Sequence, residues 1–456
     1  MSGKAKKNRY EYMTQTPVPK LIIRLAVPTI ISMMVTGIYN TADTYFVGRI
    51  PVNATGATAA VGIVFPLMAV IQAFGFMFGH GSGNFLSRML GAGKKKEASE
   101  MASTGFVFAL ITGVLIAALG NIFIDPITRF LASGDVSAET LAMTSDYARI
   151  ILIGAPFMMC QFVINNQLRF QGSAVYAMVG LIAGAIINMI LDPLLILVFD
   201  MGVTGAALAT IFGQITSFFM LLIGSTKGEN IHLRLSNVKI NSYYFTQVIN
   251  GGIPSLFRQG LAAVATALLN KAAGQYGGEA AIAGMSIVNR VMMLMMSALI
   301  GFGQGYQPMC SFNYGAKLKK RVKEGFWFSV RVGTVALTAM AVICFVFAPE
   351  VVAVFRDDPD VVAVGKEALR FQVLVLPLNA FSIVTNMMLQ SMGRGLKASI
   401  TSSARSGICF IPAILLLPLF MGLRGVEISQ MIADILTLGI TIPFAMSELR
   451  QMDDGY

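Results

Sequence analysis

Charge is scarce in this sequence. Asp, Glu, Lys and Arg together make up only 12% of its 456 residues, about half the share of an ordinary soluble domain. The two histidines, His80 and His232, are too few and too far apart to build a metal centre. Cys160, Cys310, Cys344 and Cys409 show no CxxC spacing, and all lie in or at the ends of apolar runs. They read as unpaired packing residues, not as a disulfide framework. Paired histidines and HExxH, GxSxG and GK[ST] motifs are all missing, so the chain reads as a non-enzyme without a cofactor. The polar, basic stretch Met1 to Lys20 has no short apolar core and no small-residue cleavage site, and reads as a retained cytoplasmic segment.

What the chain does have is apolar surface. Hydrophobic residues reach 55%, with 29 Met, 31 Phe and 45 Gly, and the mean hydropathy is +0.70. A soluble protein of this length has too little core to hide so much of it, so the solvent for its outer surface is lipid. Apolar stretches long enough to cross about 30 Å of hydrocarbon as helix fall at 21–47, 57–82, 98–123, 141–164, 170–191, 194–224, 245–271, 280–307, 325–348, 364–389, 398–421 and 424–447. Lipid-exposed backbone must be satisfied within its own segment, which makes these spans helices. The alternating ten-residue segments of a β-barrel are absent.

The net charge of +11 suggests nucleic acid until its placement is read. Basic residues cluster before the first span (Lys4, Lys6, Lys7, Arg9, Lys20) and in even-numbered gaps: Arg88 and Lys94 to Lys96, Arg169, then Lys227, Arg234 and Lys239, then Lys317 to Lys323, then Arg394 and Lys397. Odd-numbered gaps are acidic, with Asp125, Asp135 and Glu139, then Glu350, Asp357, Asp358 and Asp360. This is the positive-inside pattern, so both termini are expected in the cytoplasm and the span count is even.

The sequence also repeats. Phe78-Gly79-His80-Gly81 and Gly91-Ala92 recur 224 residues later as Phe302-Gly303-Gln304-Gly305 and Gly315-Ala316. Asp125-Pro126 through Gly134-Asp135 matches Ala348-Pro349 through Asp357-Asp358 at an offset of 223. Pro156, Asn165, Leu168 and Gly172 match Pro377, Asn386, Leu389 and Gly393 at 221, and Met201-Gly202 matches Met421-Gly422 at 220. Two halves of six helices each, inserted with the same orientation, follow from this order. The predicted organisation is a cytoplasmic segment 1–20, an N-terminal bundle 21–224, a linker 225–244, a C-terminal bundle 245–450 and a tail 451–456. Around a central cavity these form an all-α integral membrane protein of twelve helices.

Few ionisable residues lie within spans, and such residues usually face an internal cavity and work there. Asp43 lies in Tyr39-Asn40-Thr41-Ala42-Asp43-Thr44. Asp192 lies in Asn188-Met189-Ile190-Leu191-Asp192-Pro193, four residues after Asn188 and so on the same helix face. Pro193 frees backbone at that point. With Thr210 on the next span, these groups suit a proton or Na⁺. The plainer alternative is that Asp192 caps a helix end and Asp43 bonds neighbouring hydroxyls. The second half has no counterpart of either aspartate, but holds Arg258, Arg290 and Asp434 within spans. Arg290 is expected to lock onto Asp434 or onto carbonyls, while Arg258 is a candidate for attracting an anionic or zwitterionic substrate. Tyr39, Asn40, Gln161, Arg258, Arg290 and Asn379 are the candidate cavity residues. Gly79-His80-Gly81-Ser82-Gly83 resembles a phosphate loop without its βαβ context, and reads better as close helix packing. Met292-Met293-Leu294-Met295-Met296 reads as packing first and as an adaptable pocket second.

Pro28, Asp43-Thr44 with Gly48, Phe78-Gly79 through Gly91-Ala92, Asn188 to Asp192-Pro193, and Gly205-Ala206-Ala207 to Thr210 together resemble the multidrug and toxic compound extrusion (MATE) family, in particular its small bacterial multidrug pumps. The resemblance covers nearly the whole chain. It implies exchange of H⁺ or Na⁺ for organic, often cationic, compounds by alternating access. It also implies a cation site at Asp43, Asn188, Asp192 and Thr210. The expected partners are small organic substrates and the bilayer of the cell membrane, with no nucleic acid and a monomeric chain. Another branch uses carboxylates in the C-terminal bundle, whereas this sequence has none in the interior of its seventh or tenth spans, which hold neutral polar residues such as Gln259, Gln372 and Asn379. A flippase for a lipid-linked saccharide or lipid precursor, in the same fold superfamily, is the alternative.

Overall fold

The computed structural model describes residues 8–50, 53–132 and 136–453, without the side chains of residues 39–42, 44 and 54. Lys4, Lys6, Lys7, Gly134 and Asp135, and the side chains of Tyr39, Asn40, Thr41 and Thr44, lie outside the described residues.

The described chain runs through α1 (Arg9–Gln15), α2 (Val18–Val47), α3 (Ala54–Gly91), α4 (Lys95–Ile122), α5 (Ile124–Ala132), α6 (Ala138–Phe170), α7 (Ala174–Pro193) and α8 (Gly202–Ser225). It continues through α9 (Ser242–Gly315), α10 (Lys319–Val346), α11 (Ala348–Phe355), α12 (Pro359–Val375), α13 (Leu378–Ser391), α14 (Gly395–Ser403), α15 (Phe410–Met421) and α16 (Leu423–Asp453). Among the described residues ten helices are long and apolar enough to cross a membrane. One of them, the 74-residue α9, is two spans joined at Gly278, whose φ of 66° and ψ of −158° break the helix. Helices α12 and α13, bent by 57° at their junction, together make one more. The tally is the twelve that hydropathy and charge predict. Val198, Val335 and Phe420 are 71%, 70% and 84% exposed, as lipid-facing side chains must be.

The sequence-predicted break at 192–193 is corrected. Pro193 does not end its helix: α7 continues into a π-helical turn at Leu194–Val198 before α8 starts at Gly202. Proline has no N–H to give the carbonyl four residues back, and a wider turn lets the chain pass that gap without leaving the helix. Asp192 is therefore interior to a span and does not cap its end.

The duplication is written into the backbone. Among the described residues, all the left-handed φ values but those of Asp200 and Gly228 occur in pairs: Asn53 (54°) with Gly278 (66°), Gly93 (76°) with Lys317 (60°), Gly172 (82°) with Gly393 (80°), and Gly202 (55°) with Gly422 (58°). Their offsets drift from 225 to 220, as the matched motifs drift. Side chains repeat as well. Asn165 Nδ2 donates to the Ala177 carbonyl at 3.1 Å, and Asn386 Nδ2 to the Ala398 carbonyl at 2.7 Å.

Two compact units result. Unit 1 holds Ile31–Gly252 with the segment ending at Tyr10, and unit 2 holds Glu11–Ile30 with the chain from Ile253 onward. Membership changes within α2 and α9, close to Pro28 and Pro254, and not at 225–244. The stretch between α8 and α9 is docked on unit 1. Ile231 N–H donates to Gln171 Oε1, Arg234 N–H to Ser103 Oγ and Lys239 N–H to Thr104 Oγ1. Arg9 Nη1 donates to Asn230 Oδ1 at 2.7 Å; burial pushes its guanidinium below the ordinary arginine range, against the pull of Glu229.

Glycine lets the helices of unit 1 approach closely. Gly75, Gly79 and Gly83 on α3 meet Phe162, Asn166 and Phe170 on α6 in steps of four. The phosphate-loop resemblance is therefore helix packing, as the sequence suggests. His80, buried among them, stacks on Phe76 and has Nδ1 3.1 Å from the Phe76 carbonyl. The methionine run divides by face: Met292, Met295 and Met296 are buried while Met293 is 67% exposed. The four cysteines are free.

Asn386 Nδ2 also lies 2.8 Å from Thr401 Oγ1 and 2.7 Å from Ser402 Oγ, so its two N–H groups are shared among three acceptors, whereas Asn165 donates to the Ala177 carbonyl. At about 0.6 kcal/mol per interhelical bond, Asn386→Ala is expected to cost about 1 kcal/mol and Asn165→Ala about half of that. Thermal unfolding of the purified variants in detergent will rank them.

Candidate cation site in unit 1

The hairpin α7–α8 sets the site. On α7, Gly180 faces Leu221, Gly184 faces Ser217 and the Gly213 carbonyl, and Asn188 lies against Gly213. Each step of four along α7 is matched by a step of four back along α8. Continued by one step, this register pairs Asp192 with Ala209, the residue before Thr210. A Cβ at Gly213 would stand 2.8 Å from the Gly184 carbonyl oxygen and 3.0 Å from Asn188 Cβ, so only glycine permits this approach. Helix α6 runs alongside α8 with Gly154 against Ile211, which brings Gln161 level with Ser217.

Asp192 is 0% exposed and Asn188 2%. Asn188 Nδ2 donates to Asp192 Oδ1 at 3.4 Å. Asp43, on α2, is close enough to act electrostatically on Asp192. Asp43 Oδ1, Asp192 Oδ2, Asn188 Oδ1, Gln161 Oε1, Gln214 Oε1 and Ser217 Oγ are all buried, and none has a hydrogen-bond partner among the described residues. Five of these six are acceptors only. Two carboxylates and several amide oxygens without donors are costly out of water. The chemistry that answers them is a proton or a hard cation with oxygen ligands.

Of the sequence-predicted residues, the structure thus brings Asn188 and Asp192 into contact and puts Asp43 within electrostatic range, while Thr210 is buried on the facing helix α8. Gln161 belongs to the same unit. Gln214 and Ser217 were missed, although with Thr210 they form an i, i+4, i+7 polar stripe that the sequence displays. No three His, Cys, Asp or Glu residues converge as a metal cluster among the described residues. The oxygens here are mostly neutral, which suits Na⁺ better than zinc.

The remaining candidates lie in unit 2. Arg258 is half-buried, one turn beyond Pro254 on α9. The predicted Arg290–Asp434 lock is corrected. Arg290 is exposed, and Asp434 instead accepts from Arg405 Nε at 2.9 Å, from Gln430 Nε2 at 2.7 Å and from Asn379 Nδ2 at 2.8 Å. Arg405 lies in the predicted span 398–421 and sequence reasoning passed over it.

A chain of twelve spans in two repeated units, with unanswered carboxylates inside one of them, is the architecture of a secondary transporter. The MatE family model matches residues 28–194 and again 254–416, once in each half. The chain belongs to this family. It is 29% identical over 428 residues to the multidrug export protein MepA of Staphylococcus haemolyticus, covering 93% of this chain and 92% of that one. Its fold is similar to a crystal structure of a MATE protein in complex with MaL6, at a TM-score of 0.91 and 25% identity over 98% of this chain and 100% of the other. It is equally similar to a MOP superfamily transporter from Pyrococcus furiosus, at a TM-score of 0.90 and 25% identity over 99% and 100%.

Gly213→Val is expected to part α7 from α8 and cost at least about 2 kcal/mol through overpacking. Gly260→Val is the control, because nothing lies within 4 Å of a Cβ there. Thermal melts of the two variants side by side give the comparison.

Proposed function

We propose that the chain is a secondary active multidrug efflux transporter of the cell membrane, with both termini cytoplasmic, working as a single chain. It exchanges H⁺ or Na⁺ for organic compounds, often cationic, by alternating access. The observation that carries this reading is the set of donor-less oxygens on Asp43, Asn188 and Asp192, buried in a member of the MatE family. Thr210, on the facing helix α8, supplies a neutral ligand. An ion arriving from outside neutralises the cluster, and its release on the other side restores the charge. Coupling then requires only that ion and drug favour different states of the protein, or compete for one acid. Tyr39, Asn40, Gln161, Arg258, Arg290 and Asn379 remain the residues proposed to line the substrate cavity. The similarity to a multidrug export protein favours drugs over lipid-linked saccharides as cargo.

The test is dye export from proteoliposomes under imposed pH and Na⁺ gradients applied separately, for wild type, Asp43→Asn and Asp192→Asn. Wild type is expected to move a cationic dye under at least one gradient, which names the ion, and both variants to fall to the level of empty vesicles. A wild type that moves no dye under either gradient overturns the drug-efflux reading. An Asp43→Asn variant that transports like wild type overturns the site alone.

A further inference from the structure

The last hairpin of unit 2 repeats the hairpin that carries the unit 1 cluster. Gly172 pairs with Gly393 at an offset of 221, and Gly202 with Gly422 at 220. At these offsets the α8 stripe Thr210, Gln214, Ser217 falls on Gln430, Asp434, Thr437 of α16, and Gly184 of α7 falls on Arg405. A polar stripe therefore stands at the same place in both halves, but its hydrogen bonding is reversed. In unit 1 the acceptors lack donors. In unit 2 the Asp434 carboxylate, with its side chain 1% exposed, has both oxygens filled: Oδ1 by Arg405 and Gln430, Oδ2 by Asn379. Where unit 1 has the glycine that lets α7 touch α8, unit 2 has an arginine on a π-helical turn, Ala404–Ile408. Such a turn holds an extra residue and marks functional positions more often than plain helix does.

We propose that the Arg405–Asp434 pocket is a second cation site, the repeat-related partner of the one in unit 1, permanently occupied by the chain's own guanidinium. Its occupant is tethered, so it takes no exchangeable ion, and unit 1 alone answers the gradient. The Asp434 carboxylate, held in place by donors from Gln430 and Asn379, is the acceptor that the planar Arg405 guanidinium fills. Vacating it leaves a buried, uncompensated carboxylate that binds a free guanidinium ion. The statement about ion exchange rests on the coupling role proposed above for Asp43 and Asp192; the statement about occupancy does not.

The experiment uses the purified full chain in detergent and in proteoliposomes. Arg405→Ala is expected to lower the melting temperature by about 5 °C or more. Guanidinium chloride at millimolar concentration is expected to restore part of that loss, while equal NaCl does not and wild type does not respond. Arg405→Leu/Asp434→Leu, which removes both charges, is expected to melt closer to wild type than Arg405→Ala and to keep the wild-type ion concentration for half-maximal dye export. An Arg405→Ala variant that melts like wild type, or that guanidinium does not raise, overturns the occupied-site reading. A double variant whose ion dependence shifts severalfold assigns Asp434 to coupling and overturns the claim that unit 1 acts alone. Loss of transport in Asp43→Asn tests the unit 1 site separately and bears on neither of these outcomes.

Discussion

Hydrocarbon offers no hydrogen bonds, and most of the polar groups within the spans answer to that constraint. The backbone meets it by folding into helices. Side-chain hydroxyls meet it by bonding the carbonyl one turn back, as Thr29, Thr36, Thr144, Thr437 and Thr441 do. Amides meet it by reaching neighbouring helices, as Asn386 does with two N–H groups shared among three acceptors. Single buried oxygens without a partner also occur elsewhere, as at Ser329 and Ser382, but among the described residues only unit 1 has two carboxylates among them. That cluster is held in place because a close glycine contact fixes α7 on α8, and it has been left open where filling it would have been easy.

The two halves show how easy. They share helices, left-handed turns and interhelical asparagines, and differ in where charge is placed. One half keeps a neutral stripe and carries its acids on α2 and α7. The other keeps one acid and supplies the base from the adjoining helix. Duplication alone would have produced two equal clusters. A salt bridge of this kind contributes little net stability, because desolvating two charges offsets most of their attraction. Its more informative property is that a neutral, saturated cluster does not change with the medium on either side of the membrane.

Most of the fold is legible in the sequence, because bilayer thickness, lysine placement and repeat offsets are coarse signals that survive averaging over many residues. The failures are local. Pro193 reads as a break because its missing N–H is visible in sequence, while the π-helical turn that absorbs it is not. The partition of α2 and α9 between units depends on which bundle each half-helix touches, and no periodicity encodes that. The carboxylate pair is legible because a charge in an apolar span announces itself. Gln214 and Ser217 do not stand out because neutral polar residues in a span are common and only their register opposite Asn188 distinguishes them. By sequence Arg405 belongs with Arg258 and Arg290. All three are charges in spans, and only the contact with Asp434 sorts the structural one from the others.

Coupling needs a difference in free energy between states, not a strong site as such. An ion that bound equally well before and after the transition would shift nothing however tightly it bound. The cation site proposed for unit 1 is suited to this requirement because its residues come from separate elements: Asp43 from α2, Asn188 and Asp192 from α7, Thr210 from α8. Helix α2 carries Pro28 and changes unit close to it. A proline inside a helix removes one rung of its ladder and lowers the cost of bending there. The Asp43 ligand therefore sits on the element of the site whose shape is least fixed, while its partners sit on a hairpin locked by Gly184 and Gly213. Ion binding that draws Asp43 toward Asp192 does work on α2, and the rigidity of α7 and α8 is what gives that work a direction.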